Sequence, residues 1–146
     1  MASVLPATLI DLSDFSIAPF DYEFRNQDDD FMKVASMAIE HDRIVLASPV
    51  YWYSPSATMK IFMDRLSDLL KVEKDVGRLL RSKRAALIAT GSDSVPAPCF
   101  EECFARTYEY LGMRYEGMLY SDSQGPEDDA SHAPALKTFV AGLHAE

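Results

Sequence analysis

The sequence predicts an α/β protein built on a three-layer open parallel sheet, in which four strands alternate with helices. One observation is the alternation itself, because short apolar runs are separated by longer segments with the periodicity of amphipathic helices. A second is the run at 43–50, whose apolar residues fall on both faces, as in a strand buried between two helical layers. Strands that alternate with helices are joined by right-handed crossovers, and ligands bind beyond the carboxyl ends of such strands.

Each predicted element has a local reason in the sequence. The run at 8–12 is short, apolar and β-branched, which predicts a strand, and the acids at 28–30 suit the N-terminus of a helix. Gly112 is placed to end the third helix, and Pro134 suits the first turn of the last one. In chain order the elements are strand 8–12, helix 28–40, strand 43–50, helix 56–70, a charged excursion at 71–82, strand 85–90, the helix that Gly112 ends, strand 114–120, an acidic loop at 121–131 and helix 134–143.

The composition fits one domain over residues 1–146, with 48% hydrophobic and 25% charged residues. A net charge of −9 argues against a nucleic-acid or anionic-membrane partner, because both require a basic face. No run is long and apolar enough for a membrane span, and the N-terminus does not resemble a signal peptide, so a cytoplasmic location is expected. Cys99 and Cys103 are interpreted as reduced thiols, and no metal site is expected because the histidines are scattered.

Two segments follow predicted strands and should therefore meet at the carboxyl edge of the sheet. One is the aromatic run at 51–53 between two prolines, and the other is the Thr-Gly-Ser turn at 90–92. The chain has no nucleotide-binding glycine motif, nucleophile elbow or metalloprotease motif, so no catalytic residue is assigned. Aromatic side chains beside backbone amides suit a planar cofactor that supplies the chemistry. A dimer interface explains exposed aromatic residues equally well at this point.

Residues 47–70, ASPVYWYSPSATMKIFMDRLSDLL, resemble the flavodoxin-like NAD(P)H-dependent FMN reductases and iron-sulfur flavoproteins. The resemblance implies a flavodoxin-like sheet with FMN across its carboxyl ends and NAD(P)H as co-substrate. It implies that Lys60, Asp64 and Arg65 fix the helix and a subunit interface. An iron-sulfur cluster is not expected, since it needs about four thiolates. The residues that the resemblance assigns to the flavin are Pro49, Val50, Tyr51, Trp52, Tyr53, Ser54, Thr90, Gly91 and Ser92.

The chain is expected to lack the first β-α unit of that family, because residues 1–6 cannot supply a strand, a phosphate loop and a helix. Loss of about three hydrogen bonds to the phosphate would weaken FMN binding by roughly 10³- to 10⁶-fold. The absence of the unit should leave a gap in the sheet or make the strands at 8–12 and 43–50 pair directly. It should also uncover apolar surface, which predicts a homo-oligomer.

Two functions of different classes follow. The first is an FMN-dependent NAD(P)H oxidoreductase of the flavin or quinone reductase type, which passes a hydride through flavin N5 to a small-molecule electron acceptor. The alternative is a flavin-free, catalytically inactive flavodoxin-like remnant that acts as an oligomerisation or protein-binding module. A translation start upstream of Met1 would restore the first β-α unit and its phosphate loop. The motive for the flavin-free alternative would then be removed.

Overall fold

Three parallel strands form the sheet, in the spatial order β1-β2-β3. The computed structural model describes residues 6–123 and 129–144, apart from the side chains of residues 129–131 and 144. The strands are β1 (Arg43–Pro49), β2 (Arg84–Gly91) and β3 (Arg114–Asp122). The helices are α1 (Phe31–Ile39), α2 (Ala57–Arg65), α3 (Asp68–Lys71), α4 (Lys74–Arg78), α5 (Pro98–Tyr110) and α6 (Asp129–His144), with 3₁₀ turns at Leu12–Asp14 and Leu79–Ser82.

The predicted strand at 8–12 is wrong, and the described part of the chain has three strands where four were expected. Ile10 and Leu12 pack against the core, but the segment has no strand partner. The Asp11 carboxylate instead accepts hydrogen bonds from the amide and hydroxyl of Ser13, which turns the chain into the 3₁₀ segment. Direct pairing of this segment with β1 does not occur. A β-branched run forms a strand only where a neighbouring backbone is available.

The three-layer α/β class is confirmed by the arrangement of helices around β2. Ala85, Leu87 and Ala89 join the core cluster that contains residues of α1, α2 and α5. On the other face α6 packs against β3 and buries Val140 and Leu143. The central strand β2 therefore has helices on both sides.

Strand β1 was predicted to be buried on both faces, and this is wrong. It is the edge strand of the sheet, where Ala47 is exposed and Ser48 is the one residue of the strand that is fully buried. The apolar pattern of residues 43–50 is typical of a strand inside a sheet. Strand β2, which lies between β1 and β3, has the burial that was expected of β1. Among the described residues nothing pairs with the outer edge of β1.

Helix boundaries differ from prediction in two places. The helix expected at 56–70 is divided into α2 and α3, and the last helix begins at Asp129, so Pro134 lies inside it. The expected stop at Gly112 is confirmed, since this residue has φ +75° and its amide donates to the carbonyl of Glu109. Residues 124–128 of the predicted acidic loop lie outside the described part.

Ion pairs join the strands at their amino ends. The Arg43 Nε atom lies 2.6 Å from a carboxylate oxygen of Glu116, and Arg43 also donates to the carbonyl of Leu143. Arg43 of β1 is thereby tied to β3 and to α6 across the central strand. None of the described helices is both long and apolar enough to cross a membrane.

Candidate functional site

The chain leaves β1 through a tight turn at residues 51–54, the aromatic turn. Tyr51 and Ser54 exchange backbone hydrogen bonds of 2.9 and 3.0 Å. The two central residues have positive φ, +50° at Trp52 and +64° at Tyr53. This is the pattern of a type I′ turn, which normally takes Asn-Gly. The left-handed conformation costs an ordinary residue roughly 1–2 kcal/mol, and such strain clusters at functional sites.

The aromatic turn displays flat apolar surface and free hydrogen-bond donors together. The exposed fractions of Tyr51, Trp52 and Tyr53 are 61%, 91% and 58%. Among the hydrogen bonds of the described residues, the amides of Trp52 and Tyr53 have no acceptor. A planar ring with carbonyl or nitrogen acceptors on its rim would satisfy both features.

Both ends of the segment that carries the aromatic turn are fixed. The buried Ser48 hydroxyl accepts a hydrogen bond of 3.0 Å from the Ser56 amide, which joins the end of β1 to the N-cap of α2. The Val50 amide donates to the carbonyl of Thr90 at 2.8 Å. The aromatic turn is therefore held beside the end of β2, as the sequence predicted.

The turn at residues 90–92, the glycine turn, requires glycine at its centre because of a close approach. A Cβ atom on Gly91 would lie 2.8 Å from the Tyr120 hydroxyl and 3.2 Å from the Val50 Cβ atom. The Tyr120 hydroxyl donates to the carbonyl of Asp93 at 2.6 Å. The amide and hydroxyl of Ser123 both donate to the carbonyl of Gly91, at 2.8 and 2.9 Å. Strand β3 thus holds the glycine turn against Val50.

Sequence reasoning missed Tyr120 and Ser123. The signal that could have found them is their position at the carboxyl end of the third parallel strand, which the same rule places at the edge used by the other two. Desolvation, followed by the negative charges of Asp122 and Asp93, raises the pKa of the Tyr120 phenol above its usual range. Tyr120 therefore stays protonated and donates its hydrogen bond at neutral pH.

The two cysteines differ in environment. Cys99 is exposed, and its sulfur lies 3.9 Å from the carbonyl oxygen of Tyr53, next to the aromatic turn. Cys103 packs against the core but is only partly buried, and desolvation raises the pKa of its thiol. Within the described residues no group of three or more His, Cys, Asp or Glu side chains could hold a metal ion.

Arg65 has a structural role in this chain. Its guanidinium is fully buried and binds the carboxylates of Asp29 and Asp68 and the carbonyls of Ala18 and Asn26. It joins the segment at 18–29 to α2, and a fully buried side chain is not available to a subunit interface. Lys60 and Asp64 form an exposed pair of 2.5 Å one helical turn apart.

All nine residues assigned to the flavin lie at the carboxyl ends of β1 and β2, in two segments that the Val50–Thr90 hydrogen bond joins. The rings and amides of the aromatic turn offer a flat apolar surface and hydrogen-bond donors at this edge of the sheet. Contact of these nine residues with FMN stays a prediction.

Comparison with known proteins decides the family. A family model described as NADPH-dependent FMN reductase matches residues 2–97. The chain belongs to the NADPH-dependent FMN reductase family. The resemblance inferred from residues 47–70 is confirmed, and so are the family cofactors FMN and NAD(P)H.

A curated relative supports the assignment to this reductase family. The chain is 27% identical over 110 residues to the putative NAD(P)H-dependent FMN-containing oxidoreductase YwqN of Bacillus subtilis, a match that covers 72% of this chain and 60% of the relative. The chain therefore spans about 60% of the length of this curated relative.

Solved structures show the same fold. The Trp repressor binding protein from Bacillus subtilis matches with a TM-score of 0.70 and 24% identity, over 80% of this chain and 78% of that one. An NADPH-quinone reductase from P. pentosaceus matches with a TM-score of 0.63 and 21% identity, over 82% and 77%. At these identities the likeness establishes the flavodoxin-like fold.

Proposed function

We propose that this chain is an FMN-dependent NAD(P)H oxidoreductase of the flavin or quinone reductase type, acting on a small-molecule electron acceptor. The observation that carries the proposal is the strained aromatic turn, whose two unbonded amides and three exposed rings lie beside the glycine turn. Strain of this kind is retained where it serves binding. Membership of the reductase family supports the same activity and favours it over the flavin-free alternative.

The residues have separate parts in the proposal. The rings of Tyr51, Trp52 and Tyr53 shield one part of the flavin ring from water, and the amides of the last two bond its rim. Gly91, without a side chain, allows the ring to approach the backbone, and the flanking hydroxyls of Thr90 and Ser92 bond its polar edge. The chemistry that FMN supplies when bound is passage of a hydride from reduced nicotinamide to its N5 atom and of two electrons onward, so that NAD(P)H, a quinone and one proton become NAD(P)⁺ and a hydroquinone.

The first experiment is an FMN titration followed by the fluorescence of Trp52, which is the single tryptophan of the chain. Saturable quenching with micromolar or tighter affinity, together with a shifted visible flavin spectrum, is expected. Because Trp52 is itself the reporter, the variant Trp52→Ala is followed by the flavin spectrum instead, and it should bind FMN more weakly than the parent. Tyr110→Ala is the matched control, since Tyr110 is also exposed but lies at the far end of α5.

A second measurement addresses turnover. Protein loaded with FMN should oxidise NADH or NADPH when a quinone is present, at a rate above that of free FMN. A protein that leaves the flavin spectrum and Trp52 fluorescence unchanged would support the flavin-free binding module instead.

The proposal also includes assembly and location. Homo-oligomer formation is supported by the outer edge of β1, which pairs with none of the described residues, and by an apolar cleft whose lining includes Ala35, Ile39, Ile44 and Leu46. A cytoplasmic location is supported by the two unpaired cysteines and by the use of a nicotinamide cofactor. Light scattering of the purified chain would test the oligomer.

A further inference from the structure

The two cysteines of the chain lie on one side of α5, one helical turn apart. Cys99 is in the first turn and is exposed, and Cys103, which is half-buried, follows in the next turn. Residues four apart on a helix are neighbours, with their Cβ atoms about 5–6 Å from each other. Desolvation raises the pKa of the Cys103 thiol, and the nearby Cys99 thiol raises it further. The chain therefore has a pair of adjacent thiols whose chemistry the proposed function does not use.

The thiol pair faces α2 and the aromatic turn. Besides the desolvation of Cys103, Lys60 and Asp64 of α2 act on the pKa of its thiol, and they do so in opposite directions. Lys60 and Asp64 form an ion pair with each other. The Cys99 sulfur lies 3.9 Å from the carbonyl oxygen of Tyr53. The two thiols are thus placed where α5 meets the start of α2 and the aromatic turn, and solvent reaches them at Cys99.

Helical spacing opposes closure of the thiol pair into a disulfide. A disulfide needs Cβ atoms about 3.5–4.5 Å apart, which is less than the distance of about 5–6 Å in a regular helix. Both cysteines lie inside the continuous helix Pro98–Tyr110, so a disulfide would distort its first turns. A bridging ion removes the mismatch, because two metal–sulfur bonds of about 2.3 Å, the zinc–thiolate length, span up to about 4.6 Å between the sulfurs.

The number and the type of the donors limit the class of ion. A structural zinc site has four ligands, and Mg²⁺ and Ca²⁺ require oxygen donors. Within the described residues, no further His, Cys, Asp or Glu joins the thiol pair in a group of three that could hold a metal ion. Thiolates favour soft ions such as Cu(I), and a soft cation with a filled d shell binds two thiolates in a linear arrangement. Two thiols without further ligands fit this class.

We propose that Cys99 and Cys103 form a two-thiolate site for a soft monovalent cation of the Cu(I) type. Each thiol loses its proton and each sulfur donates an electron pair to the ion, so Cu⁺ and two thiols become a bis-thiolate complex with one negative charge and two released protons. No atom changes its oxidation state. The thiol pair lies outside the nine residues assigned to the flavin, and the proposal does not depend on the proposed function.

Binding is measured on the full chain without flavin. The protein is titrated first with Ag(I), which shares the preference for thiolates and is stable in air, and then with Cu(I) in competition with bathocuproine disulfonate in the absence of oxygen. One ion per chain is expected, and at saturation both thiols should be protected from alkylation by N-ethylmaleimide. Cys99→Ser should bind the ion at least about 100-fold more weakly, because the second thiolate acts at a high effective concentration. Equal affinity in the parent and in Cys99→Ser would overturn the proposal.

A matched control keeps two thiols on α5 but moves them apart. In Cys103→Ser/Arg106→Cys both thiols remain on one side of the helix, separated by two turns or about 10.5 Å along its axis, which is too far for one ion to bridge. This variant should bind the ion as weakly as Cys99→Ser does. If it binds as tightly as the parent, any two thiols suffice and the adjacent pair is not the site.

An ion shared between two chains is distinguished by size. A site within one chain leaves the molar mass unchanged when the ion is added, whatever the oligomeric state of the protein, and its dissociation constant does not vary with protein concentration. Light scattering with and without Ag(I) measures this for the parent and for Cys103→Ser. If the ion raises the molar mass of both proteins alike, it bridges the exposed Cys99 thiols of two chains, and the proposal is wrong.

Discussion

Arg65 and Asp68 form an ion pair from which solvent is excluded, with Nε and Oδ2 2.8 Å apart and exposed side-chain fractions of 0% and 1%. Asp29, 13% exposed, binds the same guanidinium from a segment 36 residues earlier in the chain. The Arg65 guanidinium thus forms ion pairs with two carboxylates and joins the segment at 18–29 to α2 and α3. The predicted helix at 56–70 breaks between α2 and α3, where Asp68 turns towards Arg65.

Arg65→Ala should lower the free energy of unfolding by about 3–5 kcal/mol, because it leaves two carboxylates buried without their cation. Arg65→Lys should recover only part of this loss, since an ammonium cannot reproduce the planar set of donors that reaches Asp29, Asp68 and two carbonyls. Urea unfolding measures both. Arg78→Ala, which removes an exposed pair with Asp75, is the control and should change stability by no more than about 0.5 kcal/mol.

Acid should weaken the same region. Burial opposes ionisation of Asp29, but hydrogen bonds from Arg65 and from the amides of Ala18 and Phe31 outweigh it and lower the pKa of this carboxyl. Because the folded-state pKa lies below the unfolded value of about 3.9, the stabilisation is complete above that pH and is lost as the pH falls through the folded pKa. The urea concentration at the midpoint of unfolding should therefore decrease less steeply between pH 6 and pH 3 in Asp29→Asn than in the parent. If the midpoint falls equally steeply with pH in both proteins, Asp29 does not contribute to the acid sensitivity.

The sequence contained the information for the aromatic turn because the determinants of that turn are local. The apolar run at 43–50 is followed directly by aromatic residues, and the parallel topology places them at the carboxyl edge. The sequence did not predict the backbone strain at Trp52 and Tyr53, since neither residue type favours positive φ. The strand at 8–12 was predicted wrongly for the opposite reason: its propensity is local, whereas a strand depends on a partner elsewhere.

The contacts that hold the glycine turn could not be predicted from local patterns. Tyr120 reaches the carbonyl of Asp93 from 27 residues away, and Ser123 reaches Gly91 from 32 residues away. The sequence placed Arg65 in the predicted helix at 56–70. Its burial could not be predicted locally, because its guanidinium binds the carboxylate of Asp29 from an earlier segment. In each case the relationship comes from how the chain folds back on itself.

The backbone strain of the aromatic turn leads to a prediction in which stability and binding change in opposite directions. Trp52→Asn/Tyr53→Gly places the preferred type I′ pair at the two residues with positive φ and should raise the free energy of unfolding by about 1–2 kcal/mol. The same variant removes two rings from the proposed flavin surface, so FMN should bind more weakly. Urea unfolding and a spectroscopic FMN titration measure the two effects. A variant that is both less stable and unchanged in FMN binding would show that the turn has neither property.

The approach of Tyr120 to Gly91 permits a paired test of the glycine turn. Gly91→Ala puts a methyl group 2.8 Å from the Tyr120 hydroxyl and 3.2 Å from Val50, so one of them must move, at a cost of about 1–3 kcal/mol. Tyr120→Phe removes the hydroxyl and its hydrogen bond to the carbonyl of Asp93, which should cost about 1 kcal/mol. In Gly91→Ala/Tyr120→Phe the closer of the two clashes is absent, so the double variant should be more stable than the sum of the single effects predicts. Additive losses in urea unfolding would show that Val50 rather than Tyr120 restricts the site.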